Sequence, residues 1–238
     1  MGEAERVEIV LSTQELGRAS GAATYVITVS EQLQRLGHDV TVFAAEGGDL
    51  SGQAHRRGLR VTASETALPS DCDVVYAQDG ITAYLMADRY PGRPLAVCLH
   101  AGWDPPQLPG VAAAIVVLDD DMARRARASG YAGEVVHLRG ATGDHAVELV
   151  EALRELAPGR PPQDAPLREM ARLVRVQLQS EAQAAEALDD LRREHMRAQH
   201  AEERLAELAA REQALRATAR YRLAGALARP LDLLRRRR

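Results

Sequence analysis

An alternation constrains this chain more than any other feature. Between residues 7 and 138, short β-branched runs recur, each separated from the next by a polar or helix-patterned stretch. Val7-Glu8-Ile9-Val10-Leu11 opens the series. Asp39 to Ala45 (DVTVFAA), Leu59-Arg60-Val61, Asp73 to Ala77 (DVVYA), Leu95 to Leu99 (LAVCL), Ala113 to Leu118 (AAIVVL) and Glu134 to Leu138 (EVVHL) continue it. Near-continuous apolar strands of this kind belong to sheets covered on both faces. The intervening stretches carry the helical period: over 21–36, Tyr25, Val26, Val29, Leu33 and Leu36 fall on one face. Further helices are expected at about 80–90 and 119–129. Strands alternating with helices predict an α/β fold, a Rossmann-like doubly wound parallel sheet.

After residue 139 the strand signal ends. One more helix is expected over 145–157, with Val147, Val150, Leu153 and Leu156 toward the sheet. Pro158-Gly159-Arg160-Pro161-Pro162 breaks the chain, and Asp164-Ala165-Pro166 restarts it with helix-capping chemistry. From Leu167 to about Ala228 there is no Pro and one Gly in a run of Ala, Glu, Arg, Leu and Gln, which predicts a long C-terminal helix. The organisation is therefore a Rossmann-like domain over 1–157, a Pro-rich linker over 158–166 and a helical stalk over 167–238. Leu188, Leu191, His195, Ala198, Glu202, Leu205, Ala209, Glu212 and Leu215 follow 3-4 spacing, with His195, Glu202 and Glu212 as polar members. That is a weak coiled-coil seam, suited to a homodimer through the helix or to docking on a partner; a solvated stalk is the alternative.

Charge is divided unevenly. The 238 residues carry 30 basic side chains, all Arg, against 34 acidic ones, a net −4. Residues 216–238 hold eight Arg and a single acid, Asp232, for +7, which leaves −11 on residues 1–215. An acidic body excludes nucleic acid as the partner of the core, because a phosphate backbone demands a basic face. The basic end suits a separate contact with an anionic membrane surface, where each Arg contributes ~1 kcal/mol. No run of 18 apolar residues occurs, and Met1-Gly2-Glu3-Ala4-Glu5-Arg6 lacks signal-peptide order. A cytoplasmic protein, peripheral at the inner face of the membrane, is the expectation. Cys72 and Cys98 form no CxxC pair and have no histidine at ligand spacing, so they read as core thiols.

Particular residues narrow the fold. Gly17-Arg18-Ala19-Ser20-Gly21-Ala22-Ala23-Thr24-Tyr25-Val26 follows the first strand, and the helix ends at Leu33-Gln34-Arg35-Leu36-Gly37-His38-Asp39-Val40. This arrangement resembles the first βαβ unit of the family-4-like GT-B glycosyltransferases, with its glycine loop and Leu-x-x-x-Gly-His-x-Val helix end. Asp73-Val74-Val75-Tyr76-Ala77-Gln78 is similar to the family's Asp-Val-Val-His-Ala-His strand, and Val97-Cys98-Leu99-His100-Ala101-Gly102 to its Thr-x-His-Gly strand. The resemblance covers roughly residues 7–140, the acceptor-side N-terminal domain. Ser20 stands where the family has its first loop glycine, and Gln78 where it has a second histidine. The Val136-His137-Leu138-Arg139-Gly140-Ala141-Thr142-Gly143 stretch departs from the family's Asn-Gly-Val-Asp exit.

The resemblance implies hexosyl transfer from a nucleotide-sugar to a glycan or lipid-linked acceptor, with no cofactor and no metal. It implies His100 as the catalytic position; Gly17, Ser20, Gly21 and Ala22 as an acceptor or phosphate loop; and Gln78 as a sugar contact. Trp103, on a Pro-containing loop beside His100, either stacks on a sugar ring or covers the end of the sheet. A sheet's carboxyl edge is where α/β folds bind ligands, and a loop without bulky side chains lets backbone N–H groups approach an anion. The family's second, donor-binding domain has no counterpart in these 238 residues, so a donor-domain or glycosyltransferase partner is expected. Glu186, Glu194 and Glu202 share the spacing of that domain's Glu-x₇-Glu motif but lie inside a continuous helix, where the spacing carries no meaning. Asp119-Asp120-Asp121 reads as a helix cap rather than a metal cluster, because acids favour the helix N-terminus. The alternative reading of the whole is a non-catalytic scaffold or binding subunit in a glycan-assembly complex.

Overall fold

The computed structural model describes residues 6–17, 20–100, 111–131, 133–138, 145–156 and 165–235. Seven strands build one sheet: β1 (Glu8–Glu15), β2 (Asp39–Glu46), β3 (Arg60–Thr62), β4 (Val74–Ala77), β5 (Leu95–Leu99), β6 (Ala114–Val117) and β7 (Glu134–His137). Every pairing is parallel, and the order across the sheet is β3-β2-β1-β4-β5-β6-β7. The order reverses between β1 and β4. In an open α/β sheet that reversal opens a crevice at the carboxyl ends of the two strands. The expected α/β, Rossmann-like parallel sheet is what the chain forms.

Helices α1 (Gly21–Arg35), α2 (Asp49–Arg56), α3 (Gly80–Arg89), α4 (Asp120–Ala128), α5 (His145–Glu155) and α6 (Ala165–Arg235) follow the strands. A strand's side chains alternate between faces, and both faces are covered. Ile9, Leu11, Val74, Tyr76, Cys98 and Val116 pack with Val26, Val29 and Leu33 of α1 and with Ala146, Leu149, Val150 and Leu153 of α5. On the opposite face Val10, Val75, Ala77 and Val97 pack with Ala83, Leu85 and Met86 of α3. Leu99, Ile115 and Val117 meet Met122, Ala123 and Ala126 of α4 on a third cluster. Two inward assignments fail: Leu36 and Val147 are exposed. Leu36 is already the C-cap of α1, where the chain swings off the helix face into Gly37 at φ +92°. In α5, Ala146 turns to the core instead of Val147, a rotation of one position.

The chain divides into two units, Met1–Ser180 and Glu181–Arg238. The sheet-bearing unit thus runs past the 158–166 boundary read from the sequence and takes in the first turns of α6. Ala171 is fully buried there, and Leu167, Val174 and Leu178 pack against the α3 cluster. Those positions repeat at i, i+4, i+7 and i+11, one stripe of a helix. Arg175 on the same segment reaches two carboxylates: Nη2 lies 2.8 Å from Glu65 Oε2, and Nη1 lies 2.9 Å from Asp88 Oδ2. In the second unit the described side chains are exposed. Pairs such as Asp189–Arg192 at 3.1 Å, Glu207–Arg211 at 3.0 Å and Glu212–Arg216 at 2.6 Å support that helix from within. Among the described residues, no helix is long and apolar enough to cross a membrane.

Candidate functional site at the carboxyl edge of the sheet

Strand alternation decides what gathers at the crevice. Tyr76 and Cys98 face α1, so Gln78 and His100, two residues further along β4 and β5, emerge on the same side. There His100 Nε2 and Gln78 Oε1 lie 3.0 Å apart. Both side chains are buried, Gln78 completely and His100 to 9% exposure. Burial lowers the pKa of His100, so the ring is neutral near pH 7 and its Nε2–H donates to the amide oxygen. Gln78 Nε2 is buried and has no hydrogen-bond partner among the described residues. A buried donor left without an acceptor costs about 1–3 kcal/mol, and none of the described residues supplies one to this amide.

Tyr25 of α1 completes the cluster. Its ring meets His100 edge-on at 5.7 Å between centroids, and its hydroxyl lies 3.0 Å from that of Tyr76. Tyr76 in turn contacts the Cys98 thiol, whose pKa burial pushes up to about 12. Cys72 is also buried, and its thiol is likewise pushed up to about 12, mainly by burial. Both cysteines are free and protonated, as core thiols are. Tyr25 sits in the sequence as an ordinary member of a helical stripe, and nothing in the periodicity separates it from Val26 or Val29.

The other face of the crevice is held by a buried carboxylate. Asp79 caps α3 by accepting from Thr82 N at 2.7 Å, and its second oxygen accepts from Gln14 N at 2.7 Å, near the carboxyl end of β1. Thr82 Oγ1 lies 3.1 Å from Ser12 Oγ. Burial raises the pKa of Asp79 while these hydrogen bonds oppose the rise. Asp79 is therefore a brace between β1 and α3. No sequence motif marked it.

The loop residues take plainer places. Ser20 is the N-cap of α1, its Oγ accepting from Ala23 N at 3.1 Å, which leaves the hydroxyl oxygen engaged. Gly21 has nothing within 4 Å of where a Cβ would stand, and Ala22 is half-buried beside it. Gly17 has a different partner from the one its loop suggested. A Cβ on Gly48 would stand 2.4 Å from the Gly17 Cα, so the loops after β1 and β2 pack backbone to backbone. Trp103 lies outside the described residues. Asp119 caps α4, accepting from Met122 N at 2.7 Å, and no group of three or more metal-ligating side chains occurs among the described residues. His38 is buried at the start of β2, where its Nδ1 accepts from Val7 N at 3.3 Å. Comparison with protein-family models, with curated proteins and with solved structures finds no match to this chain, so what is established is a Rossmann-like α/β fold carrying a buried Gln78–His100–Tyr25 cluster at its switch-point edge.

Proposed function

We propose that the sheet-bearing unit is a glycosyltransferase-like lobe that holds a glycan or lipid-linked acceptor at the crevice beside β1, β4 and β5. The observation that carries this reading is the buried Gln78–His100 pair, whose amide donor has no partner among the described residues. A sugar hydroxyl has the acceptor oxygen that this amide takes, and Tyr25 offers a ring beside it. The neutral imidazole of His100 is the form that can take a proton from an attacking hydroxyl. Hexosyl transfer also requires charge to be stabilised on a departing diphosphate. Gln78, His100, Ser20 and Tyr25 are uncharged at pH 7, so that task falls to a donor-binding lobe or partner beyond this sheet. The same absence of charge at these four residues favours the second reading, a non-catalytic glycan-binding subunit.

Saturation-transfer NMR and calorimetry on the full chain test the proposal, with oligosaccharides and nucleotide-sugars as probes and a transfer assay alongside. Glycan binding is expected to weaken about tenfold or more in Gln78→Ala, the effect of leaving a buried hydrogen bond unmade. Binding without transfer, sensitive to Gln78→Ala, selects the binding-subunit reading. Neither binding, hydrolysis nor transfer with any probe, and no effect of His100→Ala, would overturn both.

A further inference from the structure

We propose that the segment 181–235 pairs with the same segment of a second copy of this chain, the two helices running antiparallel so that the acidic half of each lies on the basic half of the other. This inference stands apart from the sugar-handling reading and uses only the second unit.

Two observations meet on this helix. Leu188, Leu191, Met196, Leu205, Leu208, Leu215 and Leu223 are between 51% and 71% exposed, a density of large apolar side chains that a solvated helix does not need. The charge is sorted along the axis. Residues 181–203 hold seven acids against three Arg, a net −4, and residues 204–235 hold seven Arg against three acids, a net +4. The segment as a whole is neutral.

A charge pattern of that shape has one self-complementary arrangement. Packed helices lie about 8–10 Å apart, within reach of the ~8 Å screening length at physiological salt, so the halves feel each other across the pair. A parallel pair sets −4 on −4 and +4 on +4. An antiparallel pair sets each half on its opposite and also opposes the two helix dipoles. The apolar seam is interrupted by His195, Glu202 and Glu212, so leucine burial supplies attraction while charge sets direction. An anionic membrane attracts only the basic half and repels the acidic one. Ion pairs within the helix, Asp190–Arg193 at 2.5 Å and Glu212–Arg216 at 2.6 Å among them, keep a single copy helical, so association can be lost without unfolding.

The test uses the full chain. Sedimentation velocity across a concentration series is expected to show a dimer that weakens as salt rises. A spin label at Ala187→Cys reports direction, since Cys72 and Cys98 are buried and escape labelling. An antiparallel pair centred on the segment places the two labels about 60 Å apart at 1.5 Å per residue. Glu186→Arg with Glu194→Arg, and separately Arg220→Glu with Arg222→Glu, are each expected to raise the dimer dissociation constant about tenfold or more, and mixing the two variants is expected to restore association. A monomer at every concentration overturns the proposal, as does a label distance of about 10–20 Å, the spacing of a parallel pair. Binding of phosphatidylserine vesicles by a chain that forms no dimer in their absence also overturns it and returns the basic half to the membrane.

Discussion

His38 and His100 are imidazoles whose protonation the fold opposes, and burial is the chief cause at both; Arg154 adds to it at His38. A histidine whose folded pKa lies below its ordinary 6.5 binds fewer protons than it does in the unfolded chain. Its contribution to stability is complete above pH 6.5 and is lost as pH falls from there through the folded value. Asp79 has the opposite sign: its pKa is raised above 3.8, so acidification through that range favours the fold. On acidification from pH 7.5 to pH 5 the two histidines lower the midpoint of denaturant unfolding while Asp79 acts the other way, so removing the imidazoles isolates their share. In the double variant His38→Asn, His100→Gln, which keeps polar atoms near Nδ1 and Nε2, the pH 5 midpoint is expected to rise relative to the pH 7.5 one, compared with the wild-type chain. A pH dependence left unchanged by the double variant contradicts the assignment. His100 and Gln78 stand out in the sequence through the resemblance of their two strands to those of the glycosyltransferases, each residue just after a strand-like run. Their contact was not, because it depends on the register of β4 against β5 and on both strands sending those positions toward α1. Asp79 was illegible for a related reason: its two partners, Gln14 and Thr82, lie on different elements.

Among the elements, the strands were the easiest to read, since seven apolar runs give seven strands. Helix faces were less secure. A stripe drawn by hydrophobicity alone took Val147 inward, where the fold uses the smaller Ala146 against the sheet. The packing of the first turns of α6 is hidden in the sequence for a plainer reason. Its Leu167, Ala171, Val174 and Leu178 stripe lies within a composition that otherwise continues unchanged to residue 228, so the packed and solvated parts of one helix look alike. Arg175 marks the difference. It holds Glu65, in the short 3₁₀ turn Glu65–Ala67, with two hydrogen bonds of 2.9 and 2.8 Å, and it reaches Asp88 on α3 as well. All three side chains keep some water contact, so Arg175→Ala is expected to cost about 1–2 kcal/mol rather than the full value of a buried pair. Amide exchange over 165–180 is expected to accelerate in that variant while β1 and β4 keep their protection. Unchanged exchange in 165–180 would mean that apolar packing alone secures the segment.

For the molecule as a whole, the order β3-β2-β1-β4-β5-β6-β7 joins nearly every strand to its neighbour by a short crossover, and its one reversal, between β1 and β4, fixes where the crevice lies. What that topology needs beyond residue 156 is a matter of covered surface. The face of the sheet carrying Val75, Ala77 and Val97 is roofed by α3 and, past it, by the first turns of α6. A chain ending at Ser180 keeps that roof and is expected to unfold at the same denaturant concentration as the full chain, since the side chains described beyond it are exposed. A chain ending at residue 164 uncovers the seats of Leu167, Ala171, Val174 and Leu178. The lost burial is on the order of 4 kcal/mol, a large share of a domain's 5–15 kcal/mol net stability. Its unfolding midpoint is expected to drop accordingly, with hydrophobic dye bound to the exposed face. If both truncations unfold alike, the packed start of α6 contributes nothing to the sheet-bearing unit. If the Ser180 chain is the weaker one relative to full length, residues beyond 180 contribute to the stability of the sheet-bearing unit.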